Sequence, residues 1–141
     1  MPTTSRRIAL AAWLGGSVCV TACATAFTPA SAADFDGSKP LLCAVIETHA
    51  CDPGEICLRG LPDDLGLPRF MRVDFERKTI AGPKRTTPIR EMEKGTEQIL
   101  MQGTELGYAW TMVVDKTDGS MTLSLVNRDD AFVVFGNCTP P

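Results

Sequence analysis

YAWTMVVDKTDGSMTLSLVN, residues 108–127, is the stretch whose reading decides the fold. Tyr108, Trp110, Met112 and Val114 alternate with Ala109, Thr111 and Val113, a period of two that fits a strand with one buried face. Asp115-Lys116-Thr117-Asp118-Gly119 then breaks the run, and Gly119 can take the positive φ that a bulged hairpin turn needs. Beyond it, Met121, Leu123 and Leu125 resume the alternation. The segment predicts two antiparallel strands joined by a short loop.

The same period extends outward on both sides. Met71, Val73 and Phe75 oppose Arg72, Asp74 and Glu76, Arg77-Lys78 makes a turn, and residues 79–81 return. A brief run covers Ile89–Glu93, and within 97–104 Ile99 and Met101 share a face opposite Gln98, Leu100 and Gln102. Arg128-Asp129-Asp130 turns the chain into a last strand, Ala131–Cys138, and Leu41–Glu47 reads as the first. Residues 48–68, rich in Gly and Pro, read as loop with at most one helical turn begun at Pro62 and Asp63-Asp64. About eight short strands with polar outer faces predict an all-β antiparallel meander. So short a chain hides its edges best by closing into a small, lipocalin-like barrel. A two-sheet β-sandwich is the alternative.

Four cysteines follow residue 40, and they allow three pairings. Cys51 and Cys57 flank a Pro53-Gly54 turn, while Cys43 lies in the first strand and Cys138 ends the last. Ring closure brings the latter two side by side, so the expected bridges are Cys51–Cys57 and Cys43–Cys138. No C-x-x-C spacing for redox chemistry, haem attachment or zinc is present, so the cysteines read as structural.

Residues 1–32 read as an export leader, with Arg6-Arg7, a small and apolar stretch from Ile8 to Phe27, and an A-x-A site ending at Ala32. Residues 33–40 are then an extended lead-in and 41–141 a single β domain. Two features compete within the leader. Val20-Thr21-Ala22-Cys23 resembles a lipobox that would anchor the chain through a lipid on Cys23, and Ser5–Leu10 partly resembles a twin-arginine signal. Taking 32 residues from 141 leaves 109, enough for one domain. Two of the fourteen basic residues and none of the seventeen acidic ones lie in the leader, so the remainder carries a net charge of −5. That balance argues against the basic face of a nucleic-acid binder, and no later apolar run reaches the ~20 residues of a membrane helix. A periplasmic or secreted location is expected.

Candidate sites are few. His49 is the only histidine, and no nucleophile, metal or cofactor motif accompanies it. The carboxylates form no pair that spacing alone can single out. Lys84, Arg85, Thr86, Thr87 and Arg90 make a basic segment framed by Pro83 and Pro88, fit to hold an anion or dock an acidic partner. Tyr108, Trp110, Phe132 and Phe135 are expected to fill the core, the other reading being a pocket lining at a barrel mouth.

Residues 35–43 (FDGSKPLLC), 82–90 (GPKRTTPIR) and 135–140 (FGNCTP) resemble segments of an uncharacterised group of exported proteobacterial envelope proteins. That resemblance implies an envelope location and supplies no activity. Size, export, β content and a late cysteine also give a weaker likeness to the small periplasmic barrels that inhibit lysozyme. The expected function is therefore a non-catalytic barrel that binds an unknown protein or small ligand in the envelope. An inhibitor of a wall-degrading hydrolase comes second and an enzyme third.

Overall fold

The computed structural model describes residues 32–141. The leader, its competing signals and Cys23 lie outside the described residues. Ten strands follow a short 3-10 turn at Ala32–Phe35: β1 (Leu41–Cys51), β2 (Leu58–Gly60), β3 (Phe70–Asp74), β4 (Thr79–Ala81), β5 (Thr86–Pro88), β6 (Glu91–Lys94), β7 (Gln98–Glu105), β8 (Tyr108–Asp115), β9 (Ser120–Val126) and β10 (Ala131–Thr139). All pairings are antiparallel, in the order β5-β4-β3-β1-β10-β9-β8-β7-β6, with β2 added on β1. The all-β class is as expected, and the sandwich alternative gives way to one curled sheet. β2 and β5, three residues each, were not foreseen as strands.

Closure depends on a single strand path. The Ile89 N–H donates to the Lys78 carbonyl at 2.8 Å, on the β4 side. The next amide, Arg90 N–H, donates to the Gln102 carbonyl at 2.8 Å, on the β7 side. Residues 86–94 thus leave one end of the sheet and join the other, curling it into a half-barrel. Bulk is excluded at this seam: a Cβ on Gly103 would collide with the Trp110 indole and lie 2.9 Å from the Pro88 carbonyl oxygen.

The alternation read from the sequence is the alternation of burial. Met71, Val73 and Phe75, Ile99 and Met101, Trp110, Met112 and Val114, and Met121 and Leu123 all point into one core with Leu41, Cys43, Val134 and Cys138. Fully burying each large apolar side chain contributes roughly 1.5–3 kcal/mol. The first strand departs from the pattern. A β-bulge between Val45 and Glu47 puts Ile46 outside and switches the inward positions, so that Thr48 is fully buried. The sequence reading ends the strand at Glu47, where the apolar run gives way to a Gly- and Pro-rich stretch. Pairing with β10 and β2 carries it on to Cys51.

Both expected disulfides form. Cys43 and Cys138 face each other in the β1–β10 register, and Cys51–Cys57 closes the β1–β2 turn.

Residues 33–40 are more than the extended lead-in expected from their polar composition. Phe35 is buried against Gly119, where any Cβ would collide with its ring and with the Cys138 carbonyl oxygen at 2.7 Å. Gly37, at φ +79°, accepts a 2.7 Å hydrogen bond from Lys94 Nζ, which also sits 5.6 Å above the Phe75 ring. This segment stoppers one end of the half-barrel. The opposite end has no such cover.

Candidate binding cleft

At the uncovered end the sheet walls diverge around a cleft of about 960 Å³. Its interior comes from the inward positions already named: Met71 and Ile80 on one wall, Trp110 and Met112 on the next, Leu123, Leu125 and Phe132 on the third. The residues expected to fill the core therefore divide. Trp110 is buried in the core and borders the cleft, Tyr108 and Phe132 are half-buried along it, and Phe135 is exposed on the outer face, because residue 135 falls on the solvent side of the β10 alternation. Met71, Ile80, Trp110, Met112 and Leu123 are themselves buried in the core, so they floor the cleft, and its open space lies toward the lip. Sequence periodicity ranks residues as inward or outward, and carries no measure of how far apart opposite walls stand.

Trp110 lies over Gly103, its register partner on β7, and the missing side chain there lets the indole bury almost completely. Its Nε1–H has no hydrogen-bond acceptor among the described residues. Tyr108 stands beside it at the lip, 5.8 Å from the Phe132 ring, and donates its hydroxyl to Asp130 at 2.9 and 3.1 Å. That hydrogen bond, with some burial and the carboxylate's charge, raises the Tyr108 pKa above the usual phenol value.

The lip is built from three loops. Residues 61–67 form the helical turn foreseen at Pro62, with Leu65 N–H reaching the Leu61 carbonyl at 3.3 Å, and they bring Leu65 and Leu67 to the cleft. Gly82–Arg85 is a tight turn closed by Gly82 N–H to Arg85 O at 2.8 Å. Between β7 and β8 only Leu106 and Gly107 intervene, both at positive φ (48° and 86°), as in a primed hairpin turn. Leu106 is an unusual occupant: glycine or asparagine suits that backbone, and a leucine there is strained. Its side chain is 75 % exposed at the cleft edge.

Charge gathers on this lip. Arg69 pairs with Asp63 at 2.6 Å, and Arg85 with Glu105 at 3.4 Å. Lys84 also borders the cleft, and Arg72 lies on the outer face of β3, beside Leu42 and Ala81; neither has an acidic partner among the described residues. The basic segment read from the sequence is accordingly split. Lys84, Arg85 and Thr87 stand at the cleft, Thr87 donating to the Thr104 carbonyl at 3.3 Å. Thr86 is exposed on β5, and Arg90 lies at the seam outside the cleft. Leu106 was missed: it signals itself only as a leucine where a hairpin turn wants asparagine.

His49 sits on the outer face, hydrogen-bonded to Glu47 at 2.7 Å and edge-on to Phe135 at 6.3 Å. Glu47 also meets Arg59 at 3.6 Å. The bond to His49, then the Arg59 charge, holds the Glu47 pKa below the usual glutamate value. Asp36 and Asp118 are lowered by hydrogen bonds from Ser38 and Ser120 in their turns. None of these groups faces the cleft. Among the described residues no cluster of three or more His, Cys, Asp or Glu is placed to hold a metal ion, and no helix is long and apolar enough to cross a membrane. No protein-family model, curated protein or solved structure matches this chain.

Proposed function

We propose that this chain is a non-catalytic binding protein of the bacterial envelope that takes a small apolar ligand into the mouth of its half-barrel. The cleft carries the reading: about 960 Å³, half-open and walled by aromatic and aliphatic side chains, it lies in the size range of small-molecule sites, roughly 300–1,000 Å³. Leu106 supports it. Holding a leucine in a left-handed turn and exposing it at the lip costs folding free energy, and contact with a ligand gives that placement a use. Two disulfides suit an oxidising compartment, in agreement with the export leader read from residues 1–32.

Trp110 is the only tryptophan beyond the leader, so fluorescence tests the cleft directly. Titration with the uncharged dye N-phenylnaphthylamine is expected to give saturable dye emission excited through Trp110. A signal that never saturates, or none, overturns the proposal. So does potent stoichiometric inhibition of lysozyme by a protein that takes up no dye, which makes the chain a hydrolase inhibitor instead.

A further inference from the structure

We infer that two copies of this chain pair through the outer face of β1, β10 and β9, sheet against sheet about a two-fold axis. The outward positions of β7, β8, β9 and β10 carry amide, hydroxyl, aliphatic and phenyl groups, and the one charge among them is Asp115 at the end of β8. In a chain with 22 % charged residues, a sheet face left to water would ordinarily carry several. Phe135, Thr122, Val113 and Leu100 form one register row across these four strands. β1 extends the face on the far side of β10. Its bulge turns Ile46 outward, 63 % exposed, next to Glu47, the register partner of Phe135. Leu42 and, on β3, Phe70 continue the apolar area, where both also border the cleft. Four of the nine large apolar side chains left exposed among the described residues thus share one wall. Exposed aromatic and aliphatic groups in a charge-depleted setting are the composition of an interface core.

Charge argues for a second copy as the occupant. Each body carries −5 beyond the leader, so two copies repel each other through most of their surface. They approach at least cost through the neutral wall. That wall offers a charged partner nothing to pair with, and the uncharged, apolar surface it does fit is its own. A two-fold axis sets the patch on itself, so no second patch is needed. Curvature sets the strength. The outer side of a half-barrel is convex, which confines contact to the strands nearest β10. Four strands about 4.8 Å apart, over about seven residues of 3.4 Å each, give a footprint of about 450 Å² per copy. That is below the roughly 800 Å² per partner of a stable complex, so the pairing is reversible and forms at micromolar concentrations. It stands independently of any ligand in the cleft.

Sedimentation velocity of the disulfide-bonded protein, from low to high micromolar concentration, tests the contact. The sedimentation coefficient is expected to rise with concentration to the value for two copies and no further. Ile46→Asp sets carboxylates of the two copies against each other and returns the protein to single copies. Thr122→Lys, exposed on β9 and opposite Phe135 in register, does the same while thermal unfolding stays where it was, which separates loss of pairing from loss of fold. Ile56→Asp, at an 80 % exposed position in the Cys51–Cys57 loop, leaves the pairing intact. Added salt tightens the pair, because it screens the repulsion between two bodies of like charge, whereas a contact held by ion pairs weakens. Single copies at every concentration overturn the inference. So does a dimer that survives both Ile46→Asp and Thr122→Lys, one that dissociates in salt, or assembly that continues past two copies.

Discussion

Replacing Cys43 and Cys138 together by alanine is the perturbation whose size follows most directly from the structure. The bridge spans 95 residues of sequence and joins the strands β1 and β10, which also lie side by side in the sheet. In the chain-entropy treatment, losing such a loop constraint costs about 4.7 kcal/mol, whereas the Cys51–Cys57 bridge, spanning 6 residues, contributes about 2 kcal/mol. The two pairs also differ in burial. Cys43 and Cys138 belong to the core, so each truncation adds roughly 1 kcal/mol for a deleted buried heavy atom. The Cys51–Cys57 loop is at the surface and adds nothing comparable. Cys43→Ala/Cys138→Ala should lose roughly 6–7 kcal/mol and Cys51→Ala/Cys57→Ala about 2. Domains of this size are stable by about 5–15 kcal/mol, so the first variant approaches or crosses the limit of folding. Urea unfolding followed by Trp110 fluorescence measures both losses. If the first variant shows no folded baseline, adding sucrose restores a transition from which its deficit is read. Equal losses, or a larger loss from the short bridge, would refute the reasoning.

Four further outcomes are expected. Leu106→Asn should stabilise the fold by about 1 kcal/mol, because asparagine tolerates the left-handed turn, and should weaken uptake of N-phenylnaphthylamine; unchanged stability and uptake would sink the view of a strained lip. Thr48→Val should raise stability by roughly 1–2 kcal/mol in denaturant, since the Thr48 hydroxyl is fully buried with no partner among the described residues. Gly136→Ala should lose at least about 3 kcal/mol by thermal unfolding, because its Cβ would collide with the Ala44 carbonyl oxygen and meet Met121 Cε at 2.7 Å. Tyr108 is the only tyrosine, so near-ultraviolet absorbance follows its ionisation alone, and Asp130→Asn should bring its raised pKa down. The sign for stability follows from that direction. A pKa raised on folding favours the folded state below the phenol's unfolded pKa, and the contribution disappears as pH climbs through the folded one. At the acid end Glu47, Asp36 and Asp118 are lowered, so what they contribute is present above the unfolded carboxylate pKa and is lost as pH falls through the folded values.

Much of the molecule is legible in residues 69–138 because a half-buried strand writes its orientation into every second residue. Met71, Val73, Ile99, Met101, Met112 and Met121 could be placed in the core from that rule alone. Both disulfide pairs could be deduced from a turn and from ring closure. The rule fails where one residue breaks the count. At Ile46 the bulge turns Thr48 inward, and a strand continuing to Cys51 reads as loop. It is also silent about short strands such as β2 and β5, whose three residues are too few to show a period.

The amino-acid order by itself determined an all-β body, the inner and outer faces of its strands, and the cysteines that clasp its ends. Tertiary structure decided that Ile89 and Arg90 bond to opposite ends of the sheet, that Phe35 stoppers one opening, and that the other opens as a cleft with Lys84, Arg85 and Leu106 at its edge. Alternation is a local property, fixed by backbone pleating over a few residues. The width of a cleft depends on how far the sheet has twisted when its two ends meet, and no short stretch of sequence carries that distance.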